Sequence, residues 1–232
     1  MPHQPNPFFT GRKKVLERSR STLVSTSKAA LSGLGGIGKT QTAVKYADEY
    51  RDNYKAVLWA RADSQEALVS SFVAIAKLLD LPAKNLEDQN LVAASVKRWL
   101  ENTSDWLLIL DNVESLIILR EFLPTNEKGH MILTTLAQAT SPVAQEVKIV
   151  EMELEEGARF LLRRVNLLEK NASLGEAPEA ERTKAEEIVK ELGGLPPSRP
   201  NCVIVLARAS APIFATLWLG LQRFNTGALG IS

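Results

Sequence analysis

The sequence predicts an α/β fold of three layers, a parallel sheet with helices on both faces, followed by a small helical satellite. Three observations carry that expectation. Short apolar runs alternate along the chain with stretches of helical period, the order that builds parallel strands joined by helices. One run, Trp106-Leu107-Leu108-Ile109-Leu110, is apolar without interruption, as a strand covered on both faces requires. The first apolar run ends in glycines, and a helical pattern starts directly after them.

Taken in order, residues 29–34 are a short apolar run and predict the first strand. Over residues 39–50, Ala43, Val44 and Ala47 share one helical face. Residues 56–60 predict the next strand. Asp63 with Glu66 has the spacing of a capping pair, and Leu68, Val69, Phe72, Ile75, Ala76 and Leu79 follow at helical intervals. Leu91, Val92, Val96, Trp99 and Leu100 mark a second amphipathic helix, and the 106–110 run follows it. Residues 116–122 predict a short helix, with strands at 131–133 and 147–154. Residues 155–168 and 183–192 predict the two helices of the satellite, joined by a loop over 171–180.

Composition bounds the function. The 232 residues carry 28 Lys and Arg against 27 Asp and Glu, a net charge of +1. That balance supplies no field for general nucleic-acid binding. The single cysteine, Cys202, excludes an internal disulfide and suits a reducing cytoplasm. The proline-containing start lacks the apolar core of a secretory signal. His3 and His130 stand apart, which argues against a histidine metal site. The basic run Arg12, Lys13, Lys14, Arg18 and Arg20 reads as a solvated helix face, apart from Arg12, and Trp59, Trp99 and Trp106 read as core.

Gly33-Leu34-Gly35-Gly36-Ile37-Gly38-Lys39-Thr40 matches G-x-x-x-x-G-K-[ST] at every position. Phosphates need several inward-pointing backbone N–H groups, and glycines let the loop curl without Cβ clashes. The helix after the loop offers unpaired N–H groups and a positive dipole end, reaching Gln41. Lys39 supplies a mobile charge for the β- and γ-phosphates, and Thr40 a hydroxyl for Mg²⁺. Asp111 stands at the end of the apolar 106–110 run, where an α/β sheet presents ligands, and suits the water shell of the same ion. Residues 1–150 are therefore expected to form a phosphate-binding-loop (P-loop) nucleotide-binding domain, with the partial satellite over 151–196.

With these motifs the chain resembles the NB-ARC nucleotide-binding domain, one of the signal-transducing ATPases with numerous domains. Relatives in that class include plant disease-resistance proteins, apoptotic scaffolds and bacterial tetratricopeptide-repeat proteins. The resemblance rests on Phe9-Thr10-Gly11-Arg12, the 33–40 loop, the 107–111 strand, Ile132-Leu133-Thr134-Thr135, and Gly193-Gly194-Leu195-Pro196. It implies that Phe9, Gly11 and Arg12 border an adenine pocket, that Pro196 closes over the base, and that Thr134 lies near the γ-phosphate. It implies ATP or ADP with Mg²⁺ as cofactors, and a protein partner or self-association in the ATP state.

The chain also departs from that pattern. An acid often follows the strand aspartate in the family, but here the residue is Asn112, which cannot take up a proton at neutral pH. Glu114, two residues on, is the remaining candidate base. An arginine usually follows the Thr-Thr pair, and here it is Leu136. After Pro196 the prolines at 197 and 200 forbid a regular helix. Residues 192–232 hold no Asp, Glu or Lys. Three readings of that tail stand: a displaced frame or truncated gene end, a divergent helical end, or a membrane span over 202–221. Two functional classes follow: a nucleotide-dependent switch with slow or absent hydrolysis, or a turnover ATPase or phosphotransferase. A decayed fragment of a larger multidomain protein is the third reading.

Overall fold

The computed structural model describes residues 3–126, 128–136, 143–169 and 171–196. The readings made for residues 197–232 lie outside them. Contacts group the chain into two units. One is Met1–Asn6 with Arg12–Ile149, and the other is Pro7–Gly11 with Val150–Ser232.

The first unit holds β1 (Lys28–Ser32), β2 (Ala56–Arg61), β3 (Trp106–Val113), β4 (His130–Thr135) and β5 (Gln145–Lys148). They form one sheet in the order β2-β3-β4-β1-β5, with every neighbouring pair parallel. Its helices are α1 (Lys13–Thr26), α2 (Lys39–Glu49), α3 (Gln65–Leu78), α4 (Gln89–Asn102) and α5 (Leu116–Phe122). On one face Leu58, Ala60, Leu108, Leu110 and Leu133 pack with Leu68 and Phe72 of α3, Val92 and Val96 of α4, and Leu119 of α5. Successive strand residues point to opposite faces, so Leu31, Leu107, Ile109 and Ile132 are buried on the other side. There α1 lies against β1 and β5, and α2 against β1, β3 and β4. A strand buried twice over has to be apolar at every position, which is the pattern of 106–110.

Several expected boundaries move. The start of α3 is capped by Ser64, whose hydroxyl accepts from the Ala67 N–H, while Asp63 pairs with Arg61. Strand β5 begins two residues before the expected 147 and ends at Lys148. Its neighbour β1 ends at Ser32, paired with Lys148, and the last bond between them is the Ile149 N–H to the Ser32 carbonyl at 2.8 Å. The basic run lies on α1, with Lys13, Lys14 and Arg18 exposed. Arg20 departs from the solvated-face reading, since its guanidinium stacks over the Tyr50 ring at 4.8 Å.

In the second unit α6 (Leu154–Arg164) and α7 (Glu179–Glu191) pack through Ala158, Leu161, Leu162, Ala185, Ile188 and Val189. Helix α6 starts at Leu154, which the sequence had placed in a strand, and ends before Leu168. The expected 171–180 loop contains a 3-10 turn, Leu174–Glu176, closed by a Ser173/Glu176 capping box. No helix among the described residues is long and apolar enough to cross a membrane.

Candidate functional site

Strand β1 delivers the loop. Directly after Ser32, Gly33 takes φ 144°, and a Cβ there would stand 2.6 Å from the Ile149 carbonyl oxygen, so only glycine fits. Leu34, Gly35 and Gly36 are exposed, whereas Ile37 is buried and anchors the loop in the core. Gly38, at φ 96°, is the N-cap of α2 and offers no side chain to the first turn. The first N–H groups of α2 are therefore free of a side-chain acceptor, the state suited to an anion. No acidic residue stands in that turn.

Lys39 folds back along the loop. Its Nζ donates to the Gly33 and Leu34 carbonyls at 2.8 and 2.9 Å. Burial lowers its pKa from the ordinary lysine value, and the charge of Asp111 opposes that shift. Thr40, next on α2, donates its hydroxyl to Asp111 Oδ1 at 2.8 Å. The buried Thr134 on β4 donates to the same oxygen at 2.6 Å and accepts the Asn112 N–H at 2.8 Å. Asn112 sits at φ 60°, inside the register shift between Leu110 and Val113 of β3.

The donor set fits a phosphate chain with magnesium. A hydroxyl and a carboxylate are hard oxygen ligands, and Mg²⁺ takes few protein groups, filling its octahedron with phosphate and water. Among the described residues no group of three or more His, Cys, Asp or Glu could hold a metal alone.

The other expected site residues are placed as follows. Arg12, at φ 59°, donates to the Ile37 carbonyl at 2.7 Å and so braces the loop. Gln41 has its Oε1 buried with no hydrogen-bond partner. Glu114 is exposed just beyond β3, and Leu136 is exposed after β4. Phe9, Gly11 and Pro196 belong to the second unit. There Phe9 lines a cavity of about 500 Å³ with Phe8, Arg163 and Asn166, and Gly11 lies against the Glu156 side chain. Pro196 follows a turn in which the Met152 N–H donates to the Gly194 carbonyl at 2.8 Å. Sequence reasoning passed over one pair at the head of the loop: Ser32 Oγ donates to Glu146 Oε1 at 2.5 Å. The expected start of the strand at Val147 had left Glu146 outside it.

A family model described as the NB-ARC domain matches residues 12–170. A nucleotide-binding leucine-rich repeat (NLR)-like protein of Hyaloscypha variabilis is 28% identical over 224 residues, covering 84% of this chain and 22% of its own length. The chain thus spans about a fifth of that relative. Among solved structures, the Walker-type ATPase of Pyrococcus abyssi has a TM-score of 0.59 at 14% identity, covering 99% of this chain and 76% of that one. A signal transduction ATPase with numerous domains and a tetratricopeptide repeat sensor, from Pyrococcus horikoshii, has a TM-score of 0.52 at 18% identity, covering 90% and 34%. At these identities the two structures share the fold.

Proposed function

The chain belongs to the NB-ARC domain family, and we propose that it is an adenine-nucleotide switch that binds ADP or ATP with magnesium and hydrolyses ATP slowly or not at all. One observation carries the reading: Lys39 lies along the glycine loop while Thr40 and Asp111 meet at its end, 2.8 Å apart. Backbone N–H groups from residue 33 to Gln41 would hold the phosphates, with the Lys39 ammonium as mobile charge. Thr40 would ligate the ion directly and Asp111 through its water shell. Held by these two residues, magnesium would supply positive charge that offsets the charge of the phosphates.

Turnover needs more than binding: an oriented water, a group to take its proton, and cations placed where charge develops. Asn112 orients by hydrogen bonding and accepts no proton. Leu136 brings no charge to the position where the family carries arginine, and a missing cation of that kind costs about 10³-fold or more in rate where it acts as a finger. Contacts to the ground state survive both changes, so affinity is kept while rate falls. In the switch, ADP favours a closed state and ATP an open one that recruits a protein partner or a second copy. Such a shift draws only on the nucleotide's different affinity for the two states. The cytoplasm is the proposed compartment.

The test is single-turnover hydrolysis of ATP by the native chain, Asn112→Asp and Leu136→Arg, alongside identification of the nucleotide that co-purifies. A native rate well below about 1 s⁻¹, the low end of ordinary enzymes, with a rise in either variant, is expected. A native rate at or above that value would make Glu114 or another group the base and the protein a turnover ATPase.

A further inference from the structure

Thr134 is 1% exposed on β4, and its hydroxyl joins two neighbours on β3. It accepts the Asn112 N–H at 2.8 Å and donates to Asp111 Oδ1 at 2.6 Å. A hydroxyl has one proton to give, and Thr134 gives its proton to Asp111. The same Oδ1 takes the Thr40 proton at 2.8 Å. The carboxylate is thus gripped from α2 and from β4 through one oxygen. Asn112 is in the left-handed region at φ 60°, where the β3–β4 register slips and its N–H leaves the ordinary ladder. Thr134 receives that N–H.

We infer that Thr134 is a positioning residue for the magnesium site: it aims the Asp111 carboxylate and holds the β3 bulge, and it does not itself contact phosphate. The family resemblance implies only that Thr134 lies near the γ-phosphate; in the structure its hydroxyl proton is engaged by Asp111. Groups that orient a metal's ligands typically cost about 10- to 100-fold in metal affinity when removed. The inference rests on the nucleotide-site reading above.

The experiment titrates Mg²⁺ onto the complex of the full chain with a non-hydrolysable ATP analogue, and separately measures affinity for the analogue in EDTA. Native protein is compared with Thr134→Val, which keeps the shape and loses the hydroxyl, and Thr134→Ser, which keeps the hydroxyl. Thr134→Val is expected to weaken Mg²⁺ binding at least about tenfold with its metal-free affinity unchanged, and Thr134→Ser to stay near native. Equal weakening with and without metal would make Thr134 a phosphate contact and overturn the inference. So would unchanged Mg²⁺ affinity in Thr134→Val. Thermal melts without ligand establish that each variant folds, and Thr134→Ala carries the same comparison if the valine does not. Native protein that binds no analogue at all would overturn the nucleotide reading itself, and this inference with it.

Discussion

His130 opens β4 with Nδ1 2.8 Å from the Tyr54 hydroxyl, which in turn lies 3.2 Å from that of Tyr46. Burial, with the Tyr46 hydrogen bond, pushes the Tyr54 phenol up, so Tyr54 keeps its proton. A protonated imidazole has no lone pair at Nδ1. Burial lowers the His130 pKa below 6.5, Arg20 lowers it further, and Asp105 opposes. The folded protein therefore binds this proton more weakly than the unfolded chain does. The stabilisation is complete above the unfolded value and is lost as pH falls from about 6.5 through the depressed folded value. Urea midpoints of the native chain should decline over that window, and those of His130→Asn, which retains an acceptor, should decline less. Equal slopes in the two proteins would remove His130 from the pH dependence.

Local chemistry and tertiary fit compete over where each element begins and ends. Both Asp63 and Ser64 are residue types that cap helices, and the Asp63–Glu66 spacing favoured the first. In the structure Ser64 accepts from the Ala67 N–H at 3.1 Å, and Asp63 is drawn to Arg61. Ser64→Ala should lower unfolding free energy by about 0.5–2 kcal/mol, the usual cost of a lost N-cap, and Asp63→Ala by less. A larger loss from Asp63→Ala in urea denaturation would return the cap to Asp63. Strand β5 follows the same logic. Gln145 and Glu146 are polar, yet they pair with Ala29 and Ala30 because an edge strand keeps one side open to water. After the Ile149 N–H bonds the Ser32 carbonyl, β1 has no further residue to pair and the ladder ends.

For the whole molecule the decisive property is linkage between ligand and fold. A nucleotide that binds only the folded chain stabilises it by about 2.7 kcal/mol at 100 times its dissociation constant. Native protein should therefore melt higher with Mg-ADP, and Lys39→Ala, which removes the cation held over the loop at Gly33 and Leu34, should gain little. An equal shift in both proteins would place the nucleotide elsewhere. Without ligand the two should melt alike to within the effect of one half-exposed side chain.

The α/β class, the glycine loop with Lys39 and Thr40, and the apolar strand that carries Asp111 were all legible in the sequence, though β3 runs on to Val113, beyond its expected end at Leu110. Each depends on local rules: a doubly buried strand must be apolar throughout, and a loop that cradles phosphate must be rich in glycine at fixed spacing. The strand order was decided only in three dimensions. It sets β4 between β1 and β3, and so carries Thr134 to within hydrogen-bonding reach of Asp111, 23 residues away in the chain. The Ser32–Glu146 bond spans 114 residues and depends on β5 lying beside β1. The brace of Arg12 on Ile37 was equally out of reach of a reading along the chain. Such pairs have no periodicity to announce them, because a side-chain hydrogen bond between strands follows from which strands are neighbours and in what register, and the packing of the whole domain selects both.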